Sequence, residues 1–411
     1  MTHPVADVQV PAASDFDEIA DLMGDAFHNA FDTEAREVER GIFEPERSLL
    51  VRDGGRPVAH ASAFTRTLTV PGATVAAAHV TMVAVAVTHR RRGLLSTLMG
   101  RQLREIYDTG REPVAALWAS EGRIYPRFGY GLAAQRLAVE CPATAELRLP
   151  ESASAAGILR LADPVASQPE LARVYDRVRP DRPGWSDRDE RWWRYVLADP
   201  TAWRGGATPR RALLHEGPDG VDGYALWRTR EEWDQRGPRG QVRVDEVVAT
   251  DPEAYLALWR TLFSIDLTRQ LSCGRVAVDE PLLRLVDEPR RLGAQLVDAL
   301  WVRVVDVPAA LAARRYPTAV DVVVEVTDEL LPENTGRWRL TGGPAGAVCV
   351  RSDEPAELAC DVRGLGELYL GGVTPAALAA TGRLRELRPG ALAAAGPAFG
   401  WHRAPGAMEV F

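Results

Sequence analysis

Between Ala76 and Leu103 the spacing of apolar residues changes once, and this change constrains the fold more than any other feature. Ala76 to Val87 is an apolar, Val-rich run, the pattern of a long buried strand. From Thr88 the period becomes helical, with Leu94, Leu95, Leu98 and Leu103 facing a core. The junction between strand and helix is Thr88-His-Arg-Arg-Arg-Gly93. The first N–H groups of a helix have no internal partner and carry roughly +0.5 charge. Such a junction binds anions, pyrophosphate in particular. Gly93 lets the backbone approach closely, and Arg90, Arg91 and Arg92 add mobile positive charge. The bland alternative is a basic helix start that faces solvent. Three cations at a helix N-terminus oppose its dipole, however, and require an anion to offset them.

The rest of residues 1–145 alternates strands and helices. Val5 to Val10 reads as a strand, and Ser14 as the cap of a helix whose Phe16, Ile19, Leu22 and Met23 share a face. A hairpin turns at Asp53-Gly54-Gly55. Val114 to Trp118 reads as a strand, Gly122 to Phe128 as a short helix, and Leu132 to Val139 as the strand that finishes the sheet. A Glu-, Ala-, Pro- and Ser-rich stretch near 146–155 reads as a linker.

Residues 156–300 resemble a diverged copy of the first part. Leu49 in the first hairpin precedes Arg90 by 41 residues, and Leu213 in a second hairpin precedes Asp251 by 38. Hairpin, long strand (Gln241 to Ala249) and helix follow in the same order. The helix starts differ in charge: the second has Thr250-Asp-Pro-Glu, a capping box of Thr250 and Glu253. Acids there repel a pyrophosphate, so the second copy is expected to hold no nucleotide. Residues 302–411 mix a strand (Val320 to Val326), a strand pair (Arg337 to Leu340 with Ala347 to Arg351) and helices (Val362–Tyr369, Pro375–Thr381), an α+β pattern.

Composition narrows the chemistry. Every one of the 49 basic residues is Arg, which excludes a Lys nucleophile, a Schiff-base Lys and a P-loop Lys. The net charge of −8 argues against a nucleic-acid partner. The four Cys are scattered and the seven His lack metal spacing, so no metal is expected. No signal peptide or membrane-spanning run is visible, which reads as a cytoplasmic protein with no membrane partner.

The run Arg90-x-x-Gly93-x-x resembles the acetyl-CoA signature of the GNAT acetyltransferase superfamily, with Leu95 departing from the usual small residue. A closer resemblance covers the whole chain. Val83-Ala-Val-Ala-Val-Thr-His-Arg-Arg-Arg-Gly-Leu-Leu, Ala119-Ser-Glu-Gly-Arg-Ile-Tyr125-Pro-Arg-Phe-Gly-Tyr-Gly131, Asp298-Ala-Leu-Trp-Val-Arg and the C-terminal Phe411 are similar to the enhanced intracellular survival family. Those are bacterial aminoglycoside N-acetyltransferases. The resemblance implies two GNAT-like mixed-sheet α/β domains, the second degenerate, and a sterol-carrier-protein-like α+β domain, over residues 1–148, 149–300 and 301–411. It also implies a homohexamer.

The resemblance places acetyl-CoA on Val83, Ala84 and Val85, on Arg90, Arg91, Arg92, Gly93, Leu94, Leu95 and Ser96, and on Ser120 and Glu121. It makes Tyr125 the general acid and the α-carboxylate of Phe411 the base. A phenol of ordinary pKa ~10 can protonate a leaving thiolate; an α-carboxylate of ~3.5 serves better as an anchor for an ammonium or a water relay. Asp25, Asp298 and Glu409 are candidate acids for an amine substrate, and Met82 and the Trp192-Trp193 pair candidate pocket walls. Taken by themselves, Tyr125 reads as a core aromatic, Phe411 as a frayed end, the acids as surface groups and the Trp pair as core. The implied substrate is a small polycationic amine or a lysine-bearing protein; a non-catalytic acyl-CoA or lipid binder is the remaining alternative.

Overall fold

The computed structural model describes residues 7–29, 32–143, 147 and 157–411. They form two compact units, one of 7–134, 299–402 and 409–411, the other of 135–298 and 403–408. The expected linker near 146–155 lies outside the described residues except for Leu147.

The first unit is built on β1 (Val8–Gln9), α1 (Phe16–Phe27), α2 (Thr33–Arg40), β2 (Leu49–Asp53), β3 (Arg56–Val70), β4 (Ala73–Val85), α3 (Leu94–Thr109), β5 (Val114–Trp118) and β6 (Gly131–Leu132). Its seven-stranded sheet runs β1, β2, β3, β4, β5, then Leu300–Val304, then β6. Helix α3 buries Leu98, Met99, Leu103 and Ile106 against that sheet. Each such side chain contributes about 1.5–3 kcal/mol relative to exposure. Phe16, Ile19, Leu22 and Met23 of α1 are buried on the periodicity read from sequence. Ser14 does not cap α1: a short 3-10 turn, Ala13–Asp15, precedes the helix, and the Asp15 carboxylate accepts from the N–H of Ala12.

The C-terminal part of this unit holds a five-stranded sheet in the order Gly346–Arg351, Gly336–Gly343, Val320–Thr327, Leu358–Asp361, Leu384–Glu386. It is clamped to the first sheet through Arg303, whose guanidinium donates to both Asp328 oxygens at 2.8 and 2.7 Å in a fully buried pair. Helix Val362–Leu368 also packs close on that strand. A Cβ on Gly366 would lie 2.3 Å from the Val302 carbonyl oxygen, so only glycine fits there.

The second unit repeats the plan. Its sheet runs Ile158–Ala162, Arg211–Gly217, Gly220–Arg230, Gly240–Ala249, Thr268–Ala277, Gln135–Pro142, Gln295–Asp298. In each sheet the fourth and fifth strands are parallel and the sixth returns antiparallel. The sixth strand is exchanged. Leu300–Val304 serves the first sheet, and Gln135–Pro142 the second. The strand expected over Leu132 to Val139 is therefore two: Gly131–Leu132 pairs with Leu300–Val304, and Gln135–Pro142 lies in the second sheet. The capping box expected on Thr250 is also replaced. Asp251 Oδ1 accepts from the N–H groups of Glu253 and Ala254, while the Thr250 hydroxyl donates to the Asp222 carbonyl. Trp192 and Trp193 are buried, with Trp193 in the core around Tyr175 and Leu214.

Candidate active site

The parallel ladder between β4 and β5 is short: Ala77 with Val114, Ala78 with Ala115, His79 with Ala116. Past His79 the strands part, although β4 runs on to Val85 and β5 to Trp118. The cause is visible in β4. Its register against β3 slips between His60↔Ala84 and Ser62↔Thr81, and Met82 there has φ +50. Such a bulge bends its strand and adds twist. The Met82 carbonyl is held by buried His60, whose Nδ1 lies 2.8 Å away, and Met82 packs against the α1 core. Burial drives His60 down to about 4, so its ring is neutral at physiological pH. Val83, Ala84 and Val85 thus present an edge toward the split that β5 does not cover.

At the end of β4 a 3-10 turn, Val87–His89, leads to Arg90, Arg91 and Arg92, all exposed. His89 secures the turn: Nε2 meets the Asp53 carboxylate at 2.9 Å and Nδ1 the Thr88 hydroxyl at 2.8 Å. That contact holds the Asp53 carboxyl below its usual range. Gly93, at φ +83, is the N-cap of α3, and no side chain caps the helix. A Cβ at Gly93 would meet nothing within 4 Å. The start is therefore open, basic and stripped of competing acceptors, which suits the diphosphate of a nucleotide-bearing thioester. Leu94 and Leu95 are half-buried and Ser96 is exposed. Replacing Gly93 by Val forces a branched side chain into a left-handed backbone, at a cost of about 1–2 kcal/mol. The expected result is about tenfold weaker binding of a nucleotide diphosphate and a fall of a few degrees in melting temperature, read by equilibrium titration and thermal denaturation.

Tyr125 opens the 3-10 turn Tyr125–Phe128, a few residues past β5. It is buried among Val80, Leu117 and Tyr130, whose ring meets it edge-on at 5.9 Å. Burial pushes its phenol up to about 12. Ser120 and Glu121, in the preceding loop, are exposed, and Glu121 pairs with Arg123 at 3.0 Å.

Phe411 packs at the end of the β4–β5 ladder. The Phe411 ring packs on the His79 ring at 4.4 Å, and His79 is the last β4 residue paired with β5. His79 is fully buried, and burial together with the neighbouring Arg66 charge holds it well below its ordinary value. Glu409 meets Arg66 Nη2 at 2.7 Å with both side chains largely buried, so its charge seats the tail. His79 and Arg66, which hold the tail, and His60, which holds the bulge, carry no sequence signal: isolated His and Arg in a strand read as ordinary positions. Of the other candidates, Asp25 is exposed on α1, and Asp298 ends strand Gln295–Asp298 of the second unit, half-buried.

Residues 7–133 and 184–304 each match the family described as an acetyltransferase (GNAT) domain, and 307–407 match a sterol carrier protein domain. The N-acetyltransferase Eis of Mycobacterium tuberculosis is 36% identical over 91% of this chain and 92% of its own. The chain belongs to the Eis family of GNAT N-acetyltransferases. An uncharacterised N-acetyltransferase of Streptomyces avermitilis is 44% identical over 97% of this chain and 98% of its own. The crystal structure of Eis1 from Mycobacterium abscessus superposes with TM-score 0.83 at 32% identity, covering 98% of this chain and all of that one. A GCN5-related N-acetyltransferase from Anabaena variabilis shares the fold with TM-score 0.85 at 21% identity. This Eis-family chain is accordingly an acetyltransferase of the GNAT type that draws its acetyl group from acetyl-CoA and delivers it to an amine. Among its described residues no helix is long and apolar enough to cross a membrane.

Proposed function

We propose that this Eis-family enzyme acetylates small polycationic amines, aminoglycoside-like in charge and size, at one or several nitrogens by direct attack in a ternary complex. The observation that carries the reading is that Tyr125 and Phe411 each pack on the stretch of β4 where it leaves β5, Tyr125 in the cluster with Val80 and Phe411 on His79. In this reading residues 1–148 carry the chemistry, 149–300 form a degenerate copy, and 301–411 deliver the tail.

The residues divide the work as follows. Backbone of Val83, Ala84 and Val85 pairs with the amide arm of the thioester, while Arg90 to Ser96 hold its diphosphate and Ser120 and Glu121 flank it. The amine attacks the thioester carbonyl only when unprotonated. The Phe411 carboxylate anchors the arriving ammonium and receives its first proton, directly or through water; Tyr125 donates the proton that the departing sulfur takes up, and the second proton, lost by the acylated nitrogen, restores the phenol. The largest contribution is proximity, the holding of amine and thioester in contact. Asp25 provides negative charge for a polycation and Met82 a wall, whereas Glu409 is taken up by Arg66. The tetrahedral step and both proton transfers need no metal. We further propose a cytoplasmic homohexamer.

A thiol-release assay with acetyl-CoA and a panel of amines tests this. An aminoglycoside and a linear polyamine should both support turnover above a lysine-bearing peptide. A peptide that outpaces both would make the enzyme a protein acetyltransferase, and absence of turnover on every amine would leave only a binding protein.

A further inference from the structure

The second unit holds a cavity of about 370 Å³, within the ~300–1,000 Å³ typical of small-ligand sites. It lies where the parallel ladder between Gly240–Ala249 and Thr268–Ala277 ends, at Val244 and Cys273. In the second sheet this is the counterpart of the β4–β5 split. Buried Val248, Leu256, Trp259 and Val276 line it, and Ala407 and Met408 add a wall. A nucleotide diphosphate does not suit it. The adjoining helix start is already satisfied by the Asp251 carboxylate, which would repel a phosphate.

Most of the charges facing the cavity are already engaged, Asp251 by the helix start. Glu246 is consumed by Arg188, at 3.0 and 2.9 Å, and by the Tyr224 hydroxyl at 2.7 Å. Arg182 pairs with Asp279 and Arg403 with Asp181. Glu280 accepts from the Tyr255 hydroxyl at 2.7 Å, and burial pushes its carboxyl up, toward the neutral acid. Arg275 lies near Arg136, which Asp298 attracts and the Gly274 carbonyl engages, and near Glu246, whose first partner is Arg188. Arg275 Nη2 donates to a backbone carbonyl, that of Asp245 at 3.1 Å, and its buried Nε has no hydrogen-bond partner among the described residues. Arg275 itself lines the cavity, so its guanidinium is the cationic group that an acceptor placed there would meet.

We propose that this cavity binds a small amphipathic carboxylate, with an apolar or aromatic body against Val248, Leu256, Trp259 and Val276 and its carboxylate on Arg275. The site stands apart from the acetyl-transfer reading and does not depend on it.

Isothermal titration of the full chain with 2-naphthoate, and with its neutral counterpart 2-naphthamide, tests the proposal. The naphthoate should bind with one site per chain and the amide at least about tenfold more weakly. Arg275→Gln should weaken the naphthoate by about the same factor and leave the amide unchanged. No binding of naphthoate to the wild-type chain, equal binding of acid and amide, or an R275Q chain that binds naphthoate normally would each overturn it. A crystal soaked with naphthoate gives a reading independent of any variant. Its carboxylate should lie within hydrogen-bond distance of Arg275, and density elsewhere alone refutes the site.

Discussion

Tyr125→Phe should lower kcat by about 10²–10⁴-fold, the usual worth of a positioned general acid, while the affinity for acetyl-CoA changes less than about twofold. Phe keeps the ring that packs against Tyr130, Val80 and Leu117, so the core is preserved and only the hydroxyl is lost. The phenol, pushed up to about 12 by burial, is protonated throughout the usable pH range. Because the group must be protonated to act, a raised value moves any alkaline loss upward. The wild-type rate should therefore show no fall assignable to Tyr125 below about pH 10, the ordinary tyrosine value. Stopped-time thiol release measures kcat, and equilibrium titration with CoA measures binding. An unchanged kcat in the Phe variant would remove Tyr125 from the mechanism.

Moving the terminal carboxylate should cost nearly as much. A Gly-Ser pair appended after Phe411 leaves the His79 contact and the Arg66–Glu409 pair formally possible but displaces the charge from its place. We expect kcat/KM for the amine to fall about 10²-fold, a general acid–base contribution at the low end of its range. A chain whose terminus is amidated by semisynthesis separates charge from packing, since it retains the ring and loses only the negative oxygen. If the amidated chain turns over like the wild type, the carboxylate has no part in proton transfer or in holding the ammonium. Breaking the buried Arg66–Glu409 pair is the contrasting case. Removing one partner of such a pair costs about 3–5 kcal/mol in stability, so the tail is strongly seated.

What could be read from sequence was local. The strand end, the basic turn and Gly93 are adjacent in the chain, so one change of period exposes them together. The apolar face of α1 and the strand Val114–Trp118 follow from periodicity in the same way. Helix caps were less legible. Thr250 has a carboxylate neighbour, Asp251, that captures the backbone donors instead, and Ser14 falls inside a 3-10 turn ahead of α1, a helix that no side chain caps. Several residues in one stretch can satisfy the same cap, and sequence does not rank them.

The site was half legible for the same reason. Glu409 and Arg66 are 343 positions apart, and nothing in either neighbourhood announces the other. The bulge at Met82 is fixed by a register slip against β3 and by His60, neither of which has a composition. The strand exchange was equally hidden, because the alternation of Gln135–Pro142 marks a strand but not the sheet it completes.

The sequence by itself determined the charge of the two helix starts, arginine-rich at Arg90 and acidic at Asp251, and hence which copy can cradle a diphosphate. It also settled that no lysine takes part, leaving arginine and backbone to hold phosphate. Tertiary structure alone decided which strand closes each sheet, where β4 parts from β5, and that Phe411 comes to rest on His79 at that point. The reason is the range of the forces involved. Periodicity and helix dipoles act over a few residues. Sheet closure and tail docking are contests among distant partners, settled by burial and loop closure only when the whole chain has folded.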